Sequence, residues 1–174
     1  MRFEEMDDAE LVLEANKGTQ RALELLYLRH REWVVHIALR YVGGTEDALD
    51  VMQEVFLSFF KAFPGFRLTS TLRGYLYPVV KNRSISLLRK RKKVVPLGQE
   101  ALEGIAAVRP SLPDEFTKTV RRLSPPQQEV VYLRFALDFR LEEMADALDV
   151  PVGTVKSRLH NALKKLREDA EKKK

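Results

Sequence analysis

The stretch RLEEMADALDVPVGTVKSRLHNALKKLR, Arg140 to Arg167, decides the fold. Leu141, Met144, Ala145 and Leu148 recur at helical spacing and predict a short helix with those four side chains inward. Asp149-Val150-Pro151 makes a tight turn, and Val152 to about Arg167 predicts the last helix. Two helices joined by three or four residues, with small Ala145 at the crossing, form the helix-turn-helix pattern. In that motif the second helix enters the major groove with its N-terminal residues against base edges. Those residues are Gly153, Thr154, Val155, Lys156, Ser157 and Arg158. Arg158 can read guanine, Lys156 a base or a phosphate, and Thr154 and Ser157 phosphates, while Val155 packs inward.

Upstream, Asp114 to Leu123 predicts a helix, and Ser124-Pro125-Pro126 opens the next, to about Ala136, in the favoured cap-then-proline order. Val94 to Leu112 reads as a linker, with Pro96, Gly98, Gly104 and Pro110 and no convincing amphipathic period. The chain is therefore expected to be all-α, two small helical domains joined by a flexible linker. The domains are 1–93 and 113–174, with the linker at 94–112.

The first domain segregates its charge. From Lys61 to Lys93 stand ten Lys or Arg and no Asp or Glu, whereas Met1 to Phe60 carries six basic and twelve acidic residues. A field of one sign invites a phosphate backbone, and Phe63, Phe66, Tyr75 and Tyr77 within it could stack on unpaired bases. Asp7 to Lys17 predicts a first helix, and Thr19 a cap for a second running to about Tyr41 through Leu23, Leu26, Trp33 and Ile37. Thr45 can cap a third. Its stripe of Ala48, Met52, Val55, Phe59 and Phe63, widened by Leu49, Phe56 and Phe60, reads as core. Asp47, Asp50 and Glu54, with Gln53 and Leu57, form an acidic face suited either to solvent or to a basic partner helix. Pro64-Gly65 ends this helix, and Phe66 to Thr71 is a loop. A fourth helix follows from roughly Leu72, but Pro78 requires that it start later or kink near Tyr77.

Several classes of chemistry find no support. The chain of 174 residues has no cysteine, which excludes disulfides and thiolate chemistry. His30 and His36 lie six apart, not on one helix face as paired metal ligands would be. There is no phosphate-cradling glycine loop and no HExxH, so an enzyme is the least supported class and no cofactor is expected. The acidic start lacks the order of a secretion signal, and no apolar run approaches the roughly 20 residues of a membrane span. The expected location is the cytoplasm, without membrane insertion.

TEDALDVMQEVFLSFFKAFPGF followed by RGYLYPVVKNRSISLLRKRKK closely resembles region 2 of bacterial RNA polymerase sigma factors. LSPPQQEVVYLRFALDFRLEEMADALDVPVGTVKSRLHNALKKLRE resembles their region 4. The chain is similar to the small extracytoplasmic-function (ECF) group, and the resemblance covers all but the linker and the two ends. It implies a dissociable subunit that binds core RNA polymerase, directs it to promoters and helps melt the minus-10 element. On that resemblance Asp47, Asp50, Gln53, Glu54 and Leu57 dock on the clamp helices of the largest polymerase subunit. The Phe66–Thr71 loop, with Arg67, captures a flipped minus-10 base. Arg73, Tyr75, Tyr77, Lys81, Asn82 and Arg83 read and melt the element, and Thr154, Lys156, Ser157 and Arg158 read the minus-35 element. The group is commonly held inactive by an anti-sigma factor, which makes one a candidate partner beside polymerase and promoter DNA. Tyr75 stands where the family usually has Trp, and Asp149 where it usually has Gly.

Two other readings fit parts of the chain. A stand-alone helix-turn-helix regulator accounts for Leu123 to Arg167 alone. A polymerase-binding decoy or adaptor would keep Asp50 and Glu54 without opening DNA. Stacking contributes roughly 1–3 kcal/mol per base, too little for one pocket to offset several broken base pairs. The isolated chain should therefore bind promoter duplex poorly in a fluorescence titration; tight, sequence-specific binding without polymerase would contradict this.

Overall fold

The computed structural model describes residues 3–94 and 119–171. Every regular element among them is a helix, and the chain divides into two compact units, Met1–Pro96 and Leu97–Lys174. The expected linker and the beginning of the helix expected at Asp114 lie outside the described residues.

The first unit opens with a 3-10 turn, Phe3–Glu5, and then α1 (Asp8–Asn16), α2 (Gln20–Val42), α3 (Thr45–Lys61) and α4 (Leu72–Val94). Asp7 caps α1 reciprocally: its carboxylate accepts from Glu10 N at 2.8 Å, and Glu10 Oε2 accepts from Asp7 N at 2.9 Å. Gly43 closes α2 at φ 78°, a left-handed conformation that favours glycine. Gly44, rather than Thr45, is the N-cap of α3, with Thr45 its first residue.

α2 is the central helix, packed against α1, α3 and α4. Leu26, His30, Val34 and Ala38, each four apart, are all buried, so the core stripe passes through a histidine. His30 is tolerated there because its Nε2 donates to Asp8 Oδ2 at 2.7 Å, tying α2 to the start of α1. Leu23 and Trp33, expected on the stripe, are only half-buried. In α3, Ala48, Met52, Val55, Phe56 and Phe59 are buried as their spacing predicts, while Leu49 is 41% exposed. α4 begins at Leu72, capped by Thr71, whose Oγ1 accepts from Gly74 N at 3.1 Å, and runs unbroken as helix through Pro78. The start near Leu72 thus agrees with the sequence, and of the two effects expected of Pro78 a later start does not occur. Leu72, Leu76, Tyr77 and Val80 are each at most 1% exposed, and burying such side chains yields roughly 1.5–3 kcal/mol apiece. That offsets the roughly 3 kcal/mol a proline costs inside a helix.

The second unit contains α5 (Pro125–Phe135), α6 (Leu141–Leu148) and α7 (Val152–Glu171). Gln127 Oε1 accepts from Ser124 N at 3.2 Å, and Pro125 occupies the first turn, where its missing N–H costs nothing. α7 packs on both α5 and α6. Val120, Leu123, Val131 and Ala162 form a buried cluster, with Leu159 and Leu166 packed against it. Met144 and Ala145 of α6 are buried, as predicted; Leu141 and Leu148 are half-buried. Val155 is fully buried, pinning the start of α7 to the unit.

Asp149 ends α6 in the left-handed region, φ 51° and ψ 50°, and Val150 N reaches back to Ala145 O at 3.1 Å. A side chain in that conformation costs roughly 1–2 kcal/mol, less for Asp than for most residues. Asp149→Gly removes this cost but adds about 0.5–1 kcal/mol of unfolded-state entropy. The expected melting temperature is unchanged or raised by up to about 5 °C; a fall of several degrees would contradict the reading.

Burial raises the pKa of the Asp8 carboxyl, but the hydrogen bond and attraction of His30, then Arg29, outweigh it and hold the group below its ordinary value. A carboxylate depressed in the folded state stabilises fully above its unfolded pKa, and that contribution is lost as pH falls through the folded value. Asp8→Asn should therefore lower the melting temperature at neutral pH and flatten its decline below about pH 4. An unchanged acid profile would show that the pair does not contribute.

Candidate polymerase and nucleic-acid interface

Three surfaces carry the residues singled out from the sequence. The first is the outer face of α3. Asp50, Gln53, Glu54 and Leu57 are exposed together, and Leu57 is 58% exposed, a large apolar side chain among acids. Asp47 does not share this exposure. It is 6% exposed, and its carboxylate accepts a charge-assisted hydrogen bond from the Arg91 guanidinium of α4. Asp47 therefore holds α3 to α4, a correction to its placement on the open acidic face. Arg83 of α4 also reaches across: it donates to Ser58 Oγ at 2.9 Å and lies 3.7 Å from Glu54 Oε2. Asp50 and Glu54 line a small cleft together with Arg83 and Lys90, so the acidic face abuts the basic helix directly.

The second surface is the loop from Ala62 to Thr71 with the first half of α4. The loop is built on an aromatic cluster. Phe59 of α3 meets Phe63 and Phe66 at ring-centre distances of 5.2 Å each, and Phe66 meets Tyr75 at 4.8 Å. Edge-on packing of this kind suits the ring quadrupoles. Phe66 is consequently only 8% exposed, and Tyr77 is fully buried with its hydroxyl 2.9 Å from that of Tyr41. Both were expected to meet bases; Phe66 belongs to the core beneath the loop and Tyr77 to the core against α2, and a buried ring has no free face for stacking. Tyr75 is half-buried. Arg67, Arg73, Asn82 and Arg83 are exposed and Lys81 half-buried. Arg73 lies over the Trp33 ring at 5.5 Å, which fixes one cation of α4 against α2.

Asn16, at the end of α1, is a residue the sequence reading missed. Its Oδ1 accepts from Gly65 N at 2.7 Å and from Phe66 N at 3.1 Å, and its Nδ2 donates to Phe66 O at 2.8 Å. One side-chain amide thus grips the loop backbone from a helix some fifty residues earlier in sequence. Asn before Lys-Gly reads locally as a helix end, and that local role conceals the distant one.

The third surface is the N-terminus of α7. Gly153, Lys156 and Ser157 are exposed and Thr154 and Arg158 half-buried, around inward Val155. Ser157 Oγ donates to Thr154 O at 3.0 Å, which orders the first turn. The helix-turn-helix thus presents a basic, hydroxyl-bearing end. No group of His, Cys, Asp and Glu among the described residues could hold a metal ion. No helix among them is long and apolar enough to cross a membrane.

Comparison with known proteins gives the family. Sigma-70 region 2 matches residues 26–94, and sigma-70 region 4 matches residues 114–166. The RNA polymerase sigma-H factor of Pseudomonas aeruginosa is 31% identical over 174 residues, 89% of this chain and 89% of that protein. The ECF RNA polymerase sigma-E factor of Escherichia coli is 30% identical over 176 residues, covering 91% of this chain and 92% of its own. The chain belongs to the ECF sigma factors. As a sigma factor it is a promoter-directing subunit of RNA polymerase, of a family that initiates transcription without being enzymatic. Among solved structures it is similar to CnrH in complex with the cytosolic domain of CnrY, with TM-score 0.67, 23% identity, and 96% of this chain and 99% of that chain covered. It is also similar to the sigma factor RpoE of Bartonella quintana, solved with the anti-sigma factor NepR, with TM-score 0.58, 25% identity, and 83% and 94% covered.

Proposed function

We propose that this sigma factor divides its work among the three surfaces. The α3 face of Asp50, Gln53, Glu54 and Leu57 docks on the clamp helices of the largest polymerase subunit. The observation that carries this is the exposed Leu57 beside Asp50, Gln53 and Glu54, since a large apolar side chain on an acidic helix face suits a basic amphipathic partner. Asp47 contributes indirectly, by holding the helix that bears the face. The loop at 66–71 captures a minus-10 base, and Arg67, Arg73, Tyr75, Lys81, Asn82 and Arg83 engage the strand and its phosphates. Phe66 and Tyr77 support that surface from below.

In the second unit Lys156, Ser157, Thr154 and Arg158 read the minus-35 element from the major groove. The exposed turn at Gly153 lets the backbone approach the phosphates closely. The two elements are bound by separate compact units, consistent with 1–93 and 113–174 acting as region 2-like and region 4-like domains. The chain acts by binding alone, with no catalytic residue and no cofactor, and it works in the cytoplasm where polymerase and promoters are. An anti-sigma factor is the third partner, as for the Bartonella quintana relative.

Transcription in vitro from a promoter library with purified core polymerase tests the scheme. Discrete start sites sharing two upstream elements should appear only when the chain is added. Asp50→Lys with Leu57→Ala should weaken core binding by at least about tenfold and leave the melting temperature within a few degrees. Arg158→Ala should cost roughly 1–3 kcal/mol at one minus-35 base pair and relax its specificity. Core binding without any starts would replace this scheme with the decoy reading.

A further inference from the structure

Asn16 has no place in any of the three surfaces, yet its amide makes three hydrogen bonds to the loop after α3. Both of its polar atoms are engaged with Gly65 and Phe66, two donors into Oδ1 and one acceptor from Nδ2. The pattern mimics a strand partner: it satisfies the N–H and C=O of Phe66 at once. What it holds is otherwise loosely determined. Gly65 stands at φ 108° with nothing near the position a Cβ would take, so neither packing nor chirality fixes its backbone. Phe66 anchors the loop through its ring, but a ring in an aromatic cluster can pivot. The amide fixes the peptide plane from which residues 67–71 depart.

We infer that Asn16 is a positioning residue for minus-10 recognition: it sets the loop geometry that places a captured base, without itself touching DNA. The inference rests on the proposed role of the loop at 66–71. Asn16→Ala leaves two loop N–H groups and one carbonyl without their partner and frees Gly65 to sample other conformations. The loop still forms, because Phe66 remains packed on Phe59 and Tyr75. Its departure angle is no longer single-valued, and a pocket shaped for one base becomes tolerant of others.

The test uses holoenzyme reconstituted from core polymerase and the full chain, transcribing a template set with each minus-10 position randomised singly. Base preference is a ratio between templates, so it does not depend on the fraction of active protein. For Asn16→Ala the preference at the captured base should fall by about 3- to 10-fold, on the scale of losing one or two hydrogen bonds. Preferences at the other minus-10 positions, at the minus-35 element and the affinity for core should not change. A uniform loss of transcription with every preference intact would reduce Asn16 to a merely structural role and overturn the inference. A parallel variant, Arg67→Ala with Thr69→Ala and Ser70→Ala, separates the two levels. If it alters the preference and Asn16→Ala does not, the positioning role fails and the loop reading stands. If neither alters any preference, the loop captures no base and both fail.

Discussion

Phe59 is the side chain on which the first unit converges. It is 1% exposed and touches Phe56 and Phe60 on its own helix, Phe63 and Phe66 beyond it, and Tyr75 on α4. One ring thus joins α3, the loop and α4, and deleting such a ring from a core costs roughly 3–5 kcal/mol. The constraint it imposes is geometric. Because α3 spends its apolar face on this cluster, its opposite face is left for acids and Leu57. Because the loop is drawn onto the cluster by Phe66, its polar residues point away. The surfaces are where they are because of what the aromatics bury.

Local rules made much of this legible. Asp7 and Ser124 sit at helix starts, Gly43 at a helix end and Asp149 in the left-handed turn, since each role depends on residues within four positions. The apolar stripe of α3 is strong enough to specify its buried face from spacing alone. What failed was long-range. Asp47 lies beside the acidic face on the helix, and only Arg91, forty-four residues later, decides that it turns inward. Tyr77 and Phe66 are aromatics in a basic segment, which is also the description of a base-stacking surface; burial separates the two meanings, and burial is not a local property. Pro78 broke a propensity rule that packing of Leu76, Tyr77 and Val80 overrides.

Three polar contacts of the first unit follow one pattern. His30 with Asp8, Asn16 with the Gly65–Phe66 backbone and Asp47 with Arg91 each join elements distant in sequence. Each of these three contacts pairs a side chain with a specific partner, so each fixes a register that apolar packing alone would leave freer. In the second unit Lys165 of α7 reaches Gln127 of α5 at 3.4 Å. The short α6 of that unit is held by hydrophobic contact and by Glu143 accepting from Arg140 N at 2.7 Å.

The approach of Arg83 to Glu54 and Ser58 has a thermodynamic consequence. An acid on the α3 face and a base on the α4 face neutralise each other in the free chain. A partner that draws Glu54 away releases Arg83 for a phosphate, and a phosphate that takes Arg83 uncovers Glu54. Occupancy of either face therefore raises affinity at the other by the same factor, as reciprocity between linked equilibria demands. The pair is half-exposed and contributes at most about 1 kcal/mol, so that factor is no more than about five. Even so small a linkage has a direction: in the proposed scheme the free chain holds both affinities down, and each partner, once bound, makes room for the other.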